Sequence, residues 1–478
     1  MSELAEERTQ TGGPVACRWC GAEDQVEGSP CQQCDRIILT LPRWAYVLPS
    51  DRKWYNRWLT RRRLVRMGVL GLVLGFVVWI NFPFLPDPVT LLFRKPTTAA
   101  ASSSSPGQWS MAGWDAQRTR YLPEASRQLE GKVAWSRDLG KPTGSAPTVV
   151  DGIVYIGAHF KVLALDSKTG DPIWEQEATG PVHSSLAVAD DLVYMGSFDH
   201  RILAFDRLTG LIKWQVKTGD AISSSPAARD GMLYFGSWDS YVYALDAATG
   251  EQIWRSHTVG DVRGPVALDG GSLYASDNEG TLHILNARTG QKRFRFRTPS
   301  PATVAPTLAN GLVYFPSGGV MFAVDAGVRE IPGEFKLKKV WAQLWIWQVP
   351  LIPKPPGQRG GHWRFSPPNP KLGFIAPPAA TQEAIYAGDI LGTLYARDAN
   401  QGAEVWSFQA GDGIVSSPVV LGDLVIFGAR DGVLYALNRA DGSSVWQLSL
   451  GAPIEVSPVF AEGLLYVRTT DGLLHAVQ

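Results

Sequence analysis

All four cysteines of this chain fall within its first 34 residues, as Cys17/Cys20 and Cys31/Cys34, two C-x-x-C pairs with ten residues between them. Each pair makes a tight knuckle, Gly21 follows the first, and four thiolates so spaced can close tetrahedrally on Zn²⁺. Four sulfur ligands leave no open coordination position, so the metal expected is structural and not catalytic. A segment this short has little core of its own, and metal binding would supply much of its folding energy. The competing arrangement, two disulfides or unmetallated thiols, runs against the reducing compartment argued below.

A second group of residues is suited to recognition. Trp345, Trp347, Arg359, His362, Trp363, Arg364 and Phe365 stand among prolines and glycines in a stretch, about residues 327–375, that breaks the regular pattern around it. Trp and Arg most often dominate interfaces, so Trp345, Trp347, Arg359, Trp363, Arg364 and Phe365 are the candidate partner-binding residues. The alternative is that this loop folds over a channel or packs on its own structural unit. Asp199, Asp239, Asn278, Asp431 and Asp471 recur at equivalent places and are most simply turn formers.

The elements that must position these groups follow from a repeat. The phrase D-x-x-T-G-x-x-x-W at Asp166/Gly170/Trp174 returns at Asp206/Gly210/Trp214, Asp246/Gly250/Trp254, Asn286/Gly290/Phe294, Asp398/Gly402/Trp406 and Asn438/Gly442/Trp446, a period of 40 residues. Each period holds four short β-rich runs between turn signals, hence one four-stranded antiparallel sheet. Such sheets bury both faces only by packing around an axis, which makes a β-propeller. Asp or Asn bonds its own backbone in the corner, Gly supplies positive φ, and the outer-strand Trp fills the wedge between blades. Trp135, Trp174, Trp214, Trp254, Phe294, Trp341, Trp406 and Trp446 count eight blades, or seven if the Trp341 unit is not one. Trp135 lacks strands before it and the last repeat lacks a fourth strand, so the termini share one blade and close the ring. Asp325 to Asp398 spans 73 residues, 33 more than one period, and the longer part of the excess is placed after Trp341, between a fourth strand and the next blade.

Before the propeller, residues 51–66 are basic, with seven Lys or Arg, and an apolar run begins at Met67. Its uninterrupted core, Met67–Ile80, is 14 residues, and counting on through Asn81 and Pro83 to Leu85 gives 19, with Trp54, Trp58 and Trp79 at the interfaces. Residues 67–85 are expected to be an uncleaved transmembrane helix, with an interfacial or buried helix as the alternative. The positive-inside rule places the N-terminus in the cytosol and the propeller outside a single-pass plasma-membrane anchor. Cysteine usage agrees, since all four thiols fall on the reducing side. Residues 86–131 are a tether and lead-in, with Thr97–Pro106 flexible in composition, and the propeller occupies 132–478. Zero net charge gives no reason to expect nucleic acid.

Two resemblances complete the reading. Residues 1–50 resemble a minimal zinc ribbon. The S-S-P starts (Ser224-Ser225-Pro226, Ser416-Ser417-Pro418), the Y-x-G strands (Tyr155/Gly157, Tyr194/Gly196, Tyr234/Gly236, Tyr386/Gly388) and the T-G-x-x-x-W corners resemble the PQQ-like β-propeller repeats, a WD40-like architecture. The fold expected is all-β, an eight-bladed PQQ-like β-propeller preceded by a small zinc ribbon and one transmembrane helix. That family includes quinoprotein alcohol dehydrogenases and the propeller lipoprotein of the bacterial outer-membrane protein assembly machinery. The resemblance to the dehydrogenases implies PQQ and Ca²⁺ in the axial channel and a disulfide of adjacent cysteines, but the propeller has no cysteine, so neither PQQ nor Ca²⁺ is expected. The expected function is a non-catalytic binding or envelope-assembly scaffold, holding a protein or envelope polymer on the rim. A transmembrane sensor with a cytosolic partner for the ribbon, and a PQQ-dependent oxidoreductase, are the alternatives.

Overall fold

The computed structural model describes residues 16–17, 20–23, 30–35, 61–81, 108–123, 129–141, 143–330 and 334–478. The basic stretch 51–60 and the tether Thr97–Pro106 lie outside them.

Each 40-residue period is one antiparallel sheet of four strands, and eight such sheets are present. In the third, Ala227–Arg229, Met232–Ser237, Tyr241–Asp246 and Gln252–His257 pair in sequence order, so that Tyr234 lies opposite Ala244 and Ala244 opposite Trp254. The small central alanine lets the two flanking rings meet above it, with centroids 6.0 Å apart. The same triplet recurs as Tyr155/Ala164/Trp174, with the same 6.0 Å separation. At the corners Asp166 Oδ1 accepts the amides of Lys168 and Thr169, and Gly170 adopts φ +74°.

Corner and outer strand are coupled between blades. A Cβ on Gly210 would sit 2.7 Å from the Trp174 ring, so that glycine lets the next blade lie flat on the indole. The Trp174 Nε1 then donates to the Arg207 carbonyl of the same neighbour at 2.9 Å. Trp135, Trp214, Trp254 and Trp406 make the equivalent bond, as the wedge-filling role requires. Ring closure is as expected: Val133–Asp138 pairs with Leu473–Val477, placing Trp135 opposite Ala476.

The fifth blade corrects the sequence reading. Its outer strand is Gly361–Phe365, and Trp363, not Trp341, lies opposite Ala323. Trp363 donates to the Ala399 carbonyl at 3.0 Å and lies against Gly402, the positions of an inter-blade indole. Trp341 sits instead on a helix, Glu334–Ile346, where Leu337, Val340, Trp341 and Leu344 recur at i, i+3, i+4 and i+7. The insertion therefore interrupts the corner between third and fourth strands, from Asp325 to Gly360, and emerges on the opposite rim from the one expected. Eight blades stand, and among the described residues the fold is all-β apart from this helix, one near the N-terminus and a single 3-10 turn at Pro370–Leu372.

That N-terminal helix, Arg61–Asn81, takes in the expected span from Met67 as far as Asn81, and residues 82–85 lie outside the described residues. Its described side chains, residues 65–75, are exposed and mostly apolar on all sides. Among the described residues no helix is long and apolar enough to cross a membrane.

Candidate functional site: a cysteine centre and the propeller axis

The two C-x-x-C pairs come together. Gly21, at φ +73°, donates its amide to the Cys17 carbonyl and the Cys17 amide donates to Ala22, closing the first knuckle. The Asp35 amide returns to the Cys31 carbonyl in the second. All four Sγ atoms lie within 4.8 Å of one another. Cys17 and Cys34 are 3.6 Å apart and Cys20 and Cys31 3.5 Å. A disulfide needs about 2.0 Å, whereas a tetrahedron of sulfurs with legs of about 2.3 Å has edges of about 3.8 Å. The Ala22 amide draws the Cys20 thiol down in pKa, but desolvation and the three other sulfurs outweigh it and push the thiol up to about 12. Four thiolates at this distance repel one another unless a cation sits between them, so the cluster is built to take a metal.

The propeller axis holds what sequence reasoning missed. The lead-in, residues 108–123, is not a mere spacer: it runs along the innermost strands of successive blades inside the channel. Trp109 bridges Val149 in blade one, and the Ser110 carbonyl accepts Val188 of blade two. The carbonyls of Ala116, Gln117, Thr119 and Arg120 then accept Leu268, Leu308, Ala380 and Val420 of blades four to seven. Finally Tyr121–Leu122 adds a short parallel strand beside Val420 and Leu421. Trp109, Met111 and Arg118 are buried to 2% or less, so this end of the channel is packed with protein.

Arg118 makes the belt more than a backbone strap. Its guanidinium donates to the carbonyls of Val266 at 2.6 Å, of Ala112, and of Ser225 at 3.5 Å, tying together the belt and two blades. Burial pulls Arg118 down to about 9 and Arg120 to about 10, both still charged at neutral pH. Burial likewise raises Asp115, which Thr119 holds through its amide and hydroxyl.

Carboxylates near the other end are engaged in turns. Asp239 accepts the Gly219 amide and the Tyr243 hydroxyl, and Asp431 accepts those of Gly411 and Tyr435. Asp199 accepts from Thr179, Asp471 from Thr469, and Asn278 from the Asp261 amide. His283 and Asp277 form a fully buried pair at 2.8 Å, Asp277 also accepting the Gly260 and Thr281 amides. Burial lowers His283 against the pull of Asp277, and the pair locks a corner out of reach of solvent. Among the described residues, the cysteines are the only group of three or more His, Cys, Asp or Glu placed to share an ion.

At this end a partly exposed row of side chains crosses neighbouring blades. His183 meets Phe198 at 4.9 Å between centroids, Phe198 meets Trp238 at 5.4 Å, and the Arg263 guanidinium lies 4.3 Å over the Trp238 ring. Trp238 is oriented by its Nε1 bond to Ser223 at 2.8 Å. The sequence signal was a large ring, Trp238, beside the turn former Asp239.

Of the candidate partner-binding residues, Trp363 and Phe365 belong to blade packing, with Phe365 against Tyr395 and under the Arg397 guanidinium. Arg364 is an exposed residue of the same strand, Arg359 is exposed nearby, and Trp345 and Trp347 are exposed at the end of the helix. The structure does not gather the six into one site.

Comparison with known proteins follows this geometry. The family described as outer membrane protein assembly factor BamB matches residues 124–237, 238–345 and 346–478. The 1-butanol dehydrogenase (cytochrome c) of Thauera butanivorans is 32% identical over 122 residues, 22% of this chain and 18% of that protein. The quinohemoprotein alcohol dehydrogenase of Comamonas testosteroni is 31% identical over 21% of this chain and 17% of its own length. The matched segment thus spans under a fifth of either enzyme. Among solved structures, BamB from Moraxella catarrhalis superposes with a TM-score of 0.57 at 17% identity, covering 73% of this chain and 97% of that one. The Comamonas dehydrogenase gives 0.59 at 18% identity over 78% and 81%. At such identities these structures share the fold.

Proposed function

This chain belongs to the propeller family described as outer membrane protein assembly factor BamB, and from that premise we propose that it is a membrane-anchored, extracytoplasmic and non-catalytic binding scaffold. The observation that carries this reading is the state of the axis. One end is filled by residues 108–123, and at the other the acidic side chains are held by turn amides and hydroxyls. What that end presents is the partly exposed row Phe198, Trp238 and Arg263, a composition suited to gripping a protein segment or envelope polymer. Trp238→Ala with Arg263→Ala, compared with the parent in cells treated with a crosslinker, should lose the principal crosslinked species while retaining its thermal unfolding. Unchanged crosslinks would move the working surface elsewhere.

Dehydrogenase relatives support a second reading, PQQ-dependent alcohol oxidation. The scaffold reading expects none: full-length protein given PQQ and Ca²⁺ should not reduce a dye with simple alcohols above background. Turnover would restore the enzyme reading.

The cysteine centre is assigned to structural Zn²⁺. Metal analysis of the full chain should find about one zinc per chain, and Cys31→Ser should abolish it. Disulfides there in freshly isolated protein would overturn the assignment.

The anchor reading rests on the apolar helix Arg61–Asn81 and the arginines that open it. Protease added to cells stripped of outer layers should digest the propeller side and spare the ribbon. The reverse pattern would invert the topology.

A further inference from the structure

The insertion carries a surface that neither blade packing nor the axis uses. On the helix Glu334–Ile346 and the turn after it, Leu337, Val340, Trp345, Ile346, Trp347 and Leu351 are exposed, Leu337 to 70%, Trp347 to 67% and Leu351 completely. This is a cluster of large apolar side chains in one short segment, well beyond the isolated exposed residues that ordinary surfaces carry. Trp341 is half-buried, its Nε1 bonded to the Pro353 carbonyl at 2.8 Å, which folds the apolar turn 349–353 back beside the helix.

Charge specifies the occupant. From Phe335 to Gln382 the sequence has seven Lys or Arg and no Asp or Glu, in a chain whose net charge is zero. Lys338 and Lys339, with Arg359, Arg295 and Arg297, line a cleft of about 400 Å³ between the helix and the outer strand of blade four. Phe294 and Gln358 complete its walls, with Glu330 the one acidic group. An apolar ridge with Trp at its end, next to a basic cleft of headgroup size, matches a helix lying in a bilayer interface beside anionic phosphates.

We propose that Glu334–Ile346 and the turn through Ile352 form an in-plane membrane-binding element that recognises anionic phospholipid, its apolar residues entering the acyl boundary and the cleft taking headgroup phosphate. Such a contact would fix the propeller's orientation on the membrane independently of whether Arg61–Asn81 spans it.

The test is hydrogen exchange of the full chain mixed with vesicles of phosphatidylcholine alone or with about one-third phosphatidylglycerol. Exchange across 334–352 should slow by about five-fold or more with the anionic vesicles. Lys338→Glu with Lys339→Glu should remove the difference between the two lipids, and Leu337→Asp with Leu351→Asp should remove protection altogether. All four side chains lie outside the blade core, so thermal unfolding should stay at the parent value and report intact folding. Equal exchange with and without vesicles overturns the proposal. Protection that grows with protein concentration and ignores vesicles also overturns it, by making the face a contact between copies, as does protection that requires an added protein.

Discussion

Replacing Trp363 by alanine should destabilise the propeller by about 3 kcal/mol or more, the range for removing a large packed aromatic. The indole lies against Gly402, meets Tyr314 at 5.8 Å and bonds the Ala399 carbonyl, so its loss opens a cavity at the seam between blades five and six. Trp345→Ala and Trp347→Ala, by contrast, should stay within about 0.5 kcal/mol of the parent, as exposed side chains do. Urea unfolding of the three variants decides it. A neutral Trp363→Ala would return that residue to the recognition loop and reopen the identity of the fifth outer strand.

The second large effect is expected at Arg118. Changing it to methionine keeps much of its volume but leaves the carbonyls of Val266, Ala112 and Ser225 without their donor. Orphaned buried acceptors and a broken buried charged network together should cost about 3–5 kcal/mol. Arg118→Lys should recover only part, because an ammonium cannot reach three carbonyls in the guanidinium's planar fork. Hydrogen exchange of the Leu268, Leu308 and Ala380 amides, which donate to the belt, separates the mechanisms. These amides should lose protection in Arg118→Met if the side chain holds the belt in place. Retained protection would mean that the backbone bonds suffice and the belt needs no guanidinium.

How much of this was legible in the sequence depended on repetition. Wherever the corner phrase recurs, strand register and blade follow, and the paired termini of Val133–Asp138 and Leu473–Val477 were readable because each supplied what the other lacked. Blade five misled because its corner holds a helix, so the nearest Trp at a plausible spacing was Trp341. The better signal was local: Trp363-Arg364-Phe365 copies the alternation of Trp406-Ser407-Phe408, with Gly360 at φ +83° closing the corner before it. The channel belt was illegible for a different reason. Its residues obey no period, since each bonds a different blade, and Arg118 and Arg120 are buried against carbonyls that only the closed ring brings together. The cysteine spacing foretold the cluster, because ligand geometry is local, whereas the row from His183 to Arg263 joins separate blades and needed the fold.

The shared blade sets a timetable for synthesis. Its outer strand, Val133–Asp138, emerges from the ribosome before any complete blade, yet its partner Leu473–Val477 is made only after the strands of every other blade. Until then that strand and the open flank of blade one wait unpaired, and the belt has no finished channel in which to settle. Such a nascent chain is exposed to wrong strand pairing until the eighth blade has been made, and its slow step is a contact between the two ends of the domain. A chain of this design depends on whatever shields extended segments while it is being made, and deletion of Leu473–Val477 would leave every earlier blade formed but the circle unlatched.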